Sequence, residues 1–128
     1  MAVSYMSVRI GTRDAEACAA WYARHLGIIT SDPVRYADGK ARFVKARFSG
    51  FDISFDERDY YQSYNRTTNE FVDFHFSVDA ATFSGIRALG TRIESAWVSP
   101  DGRLESLILR DPEGNSVSVD YLNDAPAR

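Results

Sequence analysis

The sequence predicts an α+β fold of two tandem βαβββ modules, with a mostly antiparallel sheet and helices on the outside. Three observations predict it: the order of hydrophobic periods along the chain, the recurrence of that order, and the tight-turn pairs between short strand-like runs. Residues 5–12, YMSVRIGT, alternate apolar and polar as a half-buried strand does. Asp14 then stands where an N-cap belongs. Cys18, Trp21, Tyr22, His25 and Leu26 recur at helical spacing until Gly27, a residue that accepts the positive φ of a helix end. After a turn at Asp32 and Pro33, runs near 34–37, 41–48 and 51–55 read as strands, separated by Asp38-Gly39 and Ser49-Gly50.

The same order then begins again. FVDFHFSV alternates, Asp79 can cap a helix through Thr82, Phe83, Ile86 and Leu89, Gly90 ends it, and strands follow near 91–98, 103–110 and 115–121. Ser7-Val8-Arg9-Ile10 lies over Asp73-Phe74-His75-Phe76 at an offset of 66, and Leu26-Gly27 over Leu89-Gly90 at 63. Gly50 to Phe55 lies over Gly114 to Val119 at 64. Each half therefore carries one helix to cover one face of a four-stranded sheet, which leaves the opposite faces to make a pocket. The expected organisation is one domain over residues 1–128, with module one at 4–56, a linker at 57–70 and module two at 71–122. The linker is polar, without a clear period, and carries Tyr60, Tyr61 and Tyr64, which either pack over their own domain or clamp a ligand or second subunit.

Composition narrows the function classes. At 128 residues, 45% apolar and 26% charged, the chain has the balance of a globular protein and the length to bury a core without disulfides. No apolar run approaches the roughly 18 residues of a membrane span, and the opening MAVSYMSVRI has neither the charged start nor the apolar stretch of a signal peptide, so no membrane partner and a cytoplasmic location are expected. The lone Cys18 rules out an internal disulfide and a thiolate-rich metal site, and its place in the helix stripe reads as buried packing rather than nucleophilic chemistry. The net charge is −3, and neither half offers the basic footprint of a nucleic-acid binder. Lys40, Arg42, Lys45 and Arg47 fall on both faces of one strand and read as a solvated edge rather than an anion site.

Strand alternation places Arg9, Asp52, Ser54, Asp73, His75, Ser77, Ser116, Ser118 and Asp120 on the faces opposite the helices. A polar lining with one imidazole suits hydrogen bonding to a compact polar or aromatic ligand. His75 beside Asp73 is a candidate general base oriented by a carboxylate, or a histidine satisfied by local hydrogen bonds. Arg9 is expected to pair with Asp73 or to bind a ligand carboxylate. Trp97, at a strand end before Ser99-Pro100-Asp101-Gly102, is placed either to roof a pocket by stacking or to pack, whereas Trp21 and Tyr22 read as core. His25, near a helix C-terminus, is expected to complement the dipole.

Two segments carry a family likeness: RDAEACAAWYARHLG at 13–27 and LRDPEGNSVSV at 109–119. The first has the pattern of an aspartate, a helix, an aromatic pair and Leu-Gly; the second has an Asp-Pro-x-Gly-Asn run between an apolar and an alternating strand. Together with the repeat, they resemble the vicinal-oxygen-chelate superfamily of glyoxalases, bleomycin-resistance proteins and extradiol dioxygenases. The resemblance implies paired βαβββ units that form a cup, with a divalent metal at its base in the enzymes. It places the four metal-ligand positions at Ser7, Ser54, Asp73 and Ser118, and three hydroxyls with one carboxylate make a poor site for Zn, Ni, Fe or Mn. No metal and no cofactor are therefore expected. The resemblance and this donor set together imply a metal-independent small-molecule-binding protein, similar in kind to the bleomycin-resistance members, that acts by sequestration. A homodimer is implied by the resemblance as well. The expected ligand-binding residues are Arg9, Asp52, Ser54, Asp73, His75, Trp97, Ser118 and Asp120. Two enzyme readings stand beside it: a glyoxalase-type lyase, isomerase or dioxygenase with a displaced metal site near His75, and a metal-free acid/base enzyme that uses His75 and Asp73.

Overall fold

Alternation in MSVRIGT gives the first strand, β1 (Met6–Thr12), and Asp14 caps the helix after it, its carboxylate accepting from the Ala17 N–H at 3.0 Å. Helix α1 (Ala15–Leu26) ends at Gly27, whose φ of 66° lets its N–H close on the Ala23 carbonyl. Strands β2 (Val34–Arg35), β3 (Ala41–Phe48) and β4 (Phe51–Glu57) complete the module, and a short helix, α2 (Arg58–Tyr64), comes next. The pattern recurs as β5 (Asp73–Ser77), α3 (Ala80–Ala88), β6 (Ser95–Val98), β7 (Leu104–Arg110) and β8 (Ser116–Leu122), with Asp79 capping α3 through the Thr82 N–H. This computed structural model describes residues 4–64 and 73–123.

The chain forms two compact units, Met1–Glu70 and Phe71–Arg128. In the first, the sheet order is β1-β4-β3-β2; in the second it is β5-β8-β7-β6. The outer strand of each module pairs in parallel with the last (β1 with β4, β5 with β8), and every other pairing is antiparallel. The register repeats as well. Ser7 pairs with Asp52 and Arg9 with Ser54 in the first unit, and the positions 66 and 64 residues on, Asp73 with Ser116 and His75 with Ser118, pair in the second.

Each unit buries one face of its sheet under its helix. Tyr22 of α1, fully buried, packs on Phe55 with ring centroids 5.0 Å apart, among buried Cys18, Ile10, Val44 and Ile53. Phe83 and Ile86 of α3 are buried in a unit whose sheet contributes fully buried Leu107, Leu109, Val117 and Val119. Each such side chain contributes on the order of 1.5–3 kcal/mol by leaving water. Among the described residues, no helix is long and apolar enough to cross a membrane.

The elements depart from expectation around α2, in β2 and β6, and at β3. The 57–70 segment contains α2, where no periodic element was expected, and β4 runs on to Glu57. The Tyr64 side chain and residues 65–72 lie outside the described residues. Strand β2 is two residues long because a register shift between Val34 and Arg35 breaks its ladder, and β6 begins at Ser95 rather than near 91. The cationic strand β3 is not an edge: β2 lies outside it, and Lys45 points inward to Asp52 at 3.6 Å.

Candidate functional site

The polar faces opposite the helices carry the same register in both units but differ in what their side chains do. In the first unit, β4 sends Asp52, Ser54 and Asp56 to that face, all buried. Asp52 accepts from the Tyr5 hydroxyl at 2.5 Å and from the Ser7 hydroxyl, with Lys45 beside it. Burial alone pushes the Asp52 carboxyl up, but the Ser7 and Tyr5 hydroxyls and the Lys45 ammonium outweigh it and hold the group below its ordinary value. Asp56 accepts from Ser54 Oγ at 2.6 Å and from the Arg9 guanidinium at 3.0 Å. Tyr60 of α2 stacks on Phe43 with centroids 5.7 Å apart, and the Arg9, Arg42 and Lys45 cations lie within about 6 Å of one or both rings. On this face the carboxylates of Asp52 and Asp56 are held by a closed network of hydrogen bonds and ion pairs, while Arg42 Nε is buried without a hydrogen-bond partner among the described residues.

In the second unit the corresponding face is open. Alternation along β5 and β8 puts Asp73, His75 and Ser77 beside Ser116, Ser118 and Asp120. The His75 ring, 65% exposed, meets Asp120 through Nε2. Pairing carries the row through Asp120 to Ser106 on β7 and Trp97 on β6. Trp97 is 53% exposed, and Ser106 Oγ lies 3.4 Å from Ser118 Oγ. The second oxygen of Asp120, Oδ1, is buried and has no hydrogen-bond partner among the described residues. The open face thus brings together a histidine–carboxylate pair, hydroxyls and an exposed tryptophan.

The expected site residues therefore divide. Arg9, Asp52 and Ser54 belong to the closed network of the first unit; Asp73, His75, Trp97, Ser118 and Asp120 share the open face of the second. Two pairings differ from expectation. Arg9 is held by Asp56, the next inward residue of β4 after Ser54, and the carboxylate that orients His75 is Asp120 across the strand pair rather than Asp73 two residues along. In the parallel register His75 stands opposite Ser118, and Asp120 is its diagonal neighbour on β8, a distance that a histidine ring and a carboxylate can span. Tyr5, Asp56 and Ser106 were missing from the expected set. Extending the Asp52-Ser54 alternation by one step finds Asp56, and the alternation of β7 finds Ser106.

His25 is a further correction. It is buried, stacks on Trp21 with centroids 4.1 Å apart, and donates through Nδ1–H to the Trp21 carbonyl at 2.8 Å. Burial pushes its pKa down, and the Arg24 charge adds to this against the opposing effect of the Trp21 hydrogen bond. The neutral ring completes the core instead of answering the helix dipole as a cation. Cys18 is fully buried, as packing requires.

The four positions that the resemblance assigns to metal ligands hold Ser7, Ser54, Asp73 and Ser118. Ser7 and Ser54 donate to Asp52 and Asp56. Hydroxyls are weak ligands for a divalent transition metal, so this donor set does not fit the family's metal. His75 and Asp120 offer two donors at a displaced position, and among the described residues no group of three His, Cys, Asp or Glu side chains comes together to hold an ion.

Comparison with known proteins supports the fold and the family. A family model described as "Glyoxalase-like domain" matches residues 7–119. Among solved structures, TioX from Micromonospora sp. ML1 is similar at a TM-score of 0.70 and 19% identity, covering 93% of this chain and 98% of that one. Lactoylglutathione lyase from Agrobacterium tumefaciens matches at 0.66 and 20% identity, covering 91% of each chain. A glyoxalase/bleomycin resistance protein/dioxygenase from Nocardioides matches at 0.63 and 15% identity, covering 95% of this chain and 85% of that one. At these identities the structural likeness shows the fold alone. A search of curated proteins by sequence finds no match. The match over residues 7–119 places the chain in the glyoxalase-like domain family, within the vicinal-oxygen-chelate superfamily.

Proposed function

We propose that this protein binds a small molecule without a metal and without turnover, as a sequestering member of its superfamily. The observation that carries the reading is the donor set: Ser7, Ser54, Asp73 and Ser118 stand at the ligand positions, and both serines of the first unit are engaged by neighbouring carboxylates. The open face of the second unit supplies the binding surface, with His75, Asp120, Ser106 and Ser118 as polar anchors and Trp97 as a platform. A homodimer is part of the same reading, and light scattering of the purified chain reads it.

Elemental analysis of untagged protein, paired with thermal shift against Mn, Fe, Ni, Co and Zn, tests it. The expected result is well under about 0.1 metal per chain and no shift at stoichiometric metal, whereas a resident ion stabilises the folded chain through linkage. One tightly held metal per chain overturns the reading in favour of a displaced site at His75 and Asp120.

The His75–Asp120 contact also favours a second reading, metal-free acid/base chemistry. Asp120 holds Nε2, which leaves Nδ1 to take a substrate proton. Under that reading His75→Ala abolishes turnover while binding is retained; under sequestration no substrate is consumed by either form.

A further inference from the structure

We infer that Arg42 anchors a further binding site, within the first unit, for the carboxylate of a singly charged organic acid. The site is separate from the open face of the second unit and does not rest on the binding reading proposed for that face. It starts from the register of β3. Val34 pairs with Phe43 and Arg35 with Ala41, so one step on β2 is matched by two on β3, and Arg42 is the extra residue of a bulge. Strict alternation would send Arg42 the way of Val44 and Ala46, which are buried in the core. The bulge aims it instead at the rings of the polar side, with its guanidinium carbon 4.9 Å from the Tyr60 centroid and 5.9 Å from that of Phe43.

The cations around it are otherwise accounted for. Lys40 reaches Glu57 and Lys45 reaches Asp52, each at 3.6 Å, Arg9 is held by Asp56 at 3.0 Å, and Arg47 is exposed to water. Arg42 is half-buried, no carboxylate among the described residues pairs with it, and its Nε is buried without an acceptor. A buried N–H without an acceptor is costly, and a ligand that brings an acceptor removes that cost. The stack on Tyr60 does not supply one, because a ring engages the face of a guanidinium while its N–H groups point out along the edge. A carboxylate on that edge therefore completes Arg42 with the stack intact.

The surroundings select the class of acid. Tyr36, whose hydroxyl feels the Arg42 charge, lines a cavity of about 540 Å³ together with Ala37, Asp38, Lys40, Glu57 and Asp59. The cavity gives the body of a small acid room beside Arg42, with the Tyr36 ring as one wall. Its three carboxylates against one lysine oppose a doubly charged phosphate, whereas a single carboxylate balances the one cation left over. A planar carboxylate also matches the two parallel N–H groups of a guanidinium edge.

Nuclear magnetic resonance of isotope-labelled protein, followed at the Arg42 Nε–H, tests the inference without any substitution. The probes are benzoate, benzyl alcohol as its neutral counterpart, and inorganic phosphate at slightly alkaline pH, where it is mostly the dianion, all at constant ionic strength. Benzoate is expected to move the Arg42 signal saturably and to bind at least about fivefold more tightly than either other probe. Arg42→Gln is expected to weaken benzoate about tenfold or more, read at the Tyr36 and Tyr60 amides, while Arg47→Gln, which removes an exposed cation of the same strand, changes it less than about twofold. An Arg42 signal that does not saturate with benzoate, or that benzyl alcohol moves with equal affinity, overturns the site. Phosphate binding as tight as benzoate overturns the ligand class. Equal losses in Arg42→Gln and Arg47→Gln overturn the role of Arg42 in favour of general charge attraction. The sequestration reading stands or falls separately, by the metal analysis.

Discussion

The imidazole of His25 lies against the Trp21 ring, donates to the Trp21 carbonyl and is 6% exposed, with its pKa pushed down by burial. The consequence for stability has a definite sign. The unfolded chain takes up a proton at this residue near an ordinary histidine value of about 6.5, and the folded chain resists it until lower pH. The contribution of His25 is therefore complete above about pH 6.5 and is lost as pH falls below that value. Urea midpoints at about pH 7.5, 6.5 and 5.5 are expected to fall in that order for wild type, and His25→Phe, which keeps a ring on Trp21, is expected to remove part of that fall. An undiminished slope in the variant would assign the pH dependence to other groups. At this scale, the sequence showed which residues face inward but not whom they meet. Asp73 was the nearest carboxylate to His75 along the chain, but the parallel pairing of β5 with β8 brings Asp120, 45 residues on, to the His75 ring. His25 shared the helical stripe of Cys18, Tyr22 and Leu26, but its stacking on Trp21 was not legible, since that depends on how the rings settle as α1 lies on the sheet.

Elements with a strong period were legible, and the one without was not. The strand β3 occupies 41–48 as its alternation predicts, and α1 ends at Gly27 because the Leu-Gly step marks the left-handed residue. Helix α2 escaped prediction because its start is not one of the usual caps. The Glu57 carboxylate accepts the Tyr60 N–H at 3.1 Å in the manner of an N-cap, with the Tyr36 hydroxyl at 2.8 Å on the same oxygen and Lys40 at 3.6 Å from the other. Burial raises the Glu57 carboxyl, but the Asp59 and Tyr60 N–H groups, the Tyr36 hydroxyl and the Lys40 charge outweigh it and hold the pKa below its ordinary value. Tyr36, desolvated and bonded to this carboxylate, is pushed up to about 12. A depressed carboxyl contributes stability above its unfolded pKa of about 4.3 and loses that contribution as pH falls through the folded value. Glu57→Gln keeps the shape and removes the charge. It is expected to destabilise the protein by about 1 kcal/mol at pH 7, and by less at about pH 3.5, where wild type has begun to lose the same charge. Denaturant unfolding at the two pH values checks this. A penalty that does not shrink at the lower pH would mean that the glutamate acts through packing rather than charge.

At the scale of the whole molecule, one module is written twice, and the two copies have parted on a single face. The repeat fixed strand order and register in both units, since each must bury one face of four strands beneath one helix. What the repeat could not show is that charge placement closes one polar face and opens the other. Asp52, Asp56, Arg9 and Lys45 answer one another in the first unit, whereas in the second unit Arg110 pairs with Glu94 and Asp120 with His75. This asymmetry predicts an order of hydrogen exchange. Strand β4 lies between β1 and β3 and is buried from Asp52 to Glu57, so its amides are expected to exchange slowest, near the rate set by global unfolding. Strand β6 is an outer strand with every residue exposed, so its amides are expected to exchange fastest among the strands of the second unit. Exchange in β4 as fast as in β6 would mean that the ion pairs and hydrogen bonds around Asp52 and Asp56 do not hold that strand closed in the native protein.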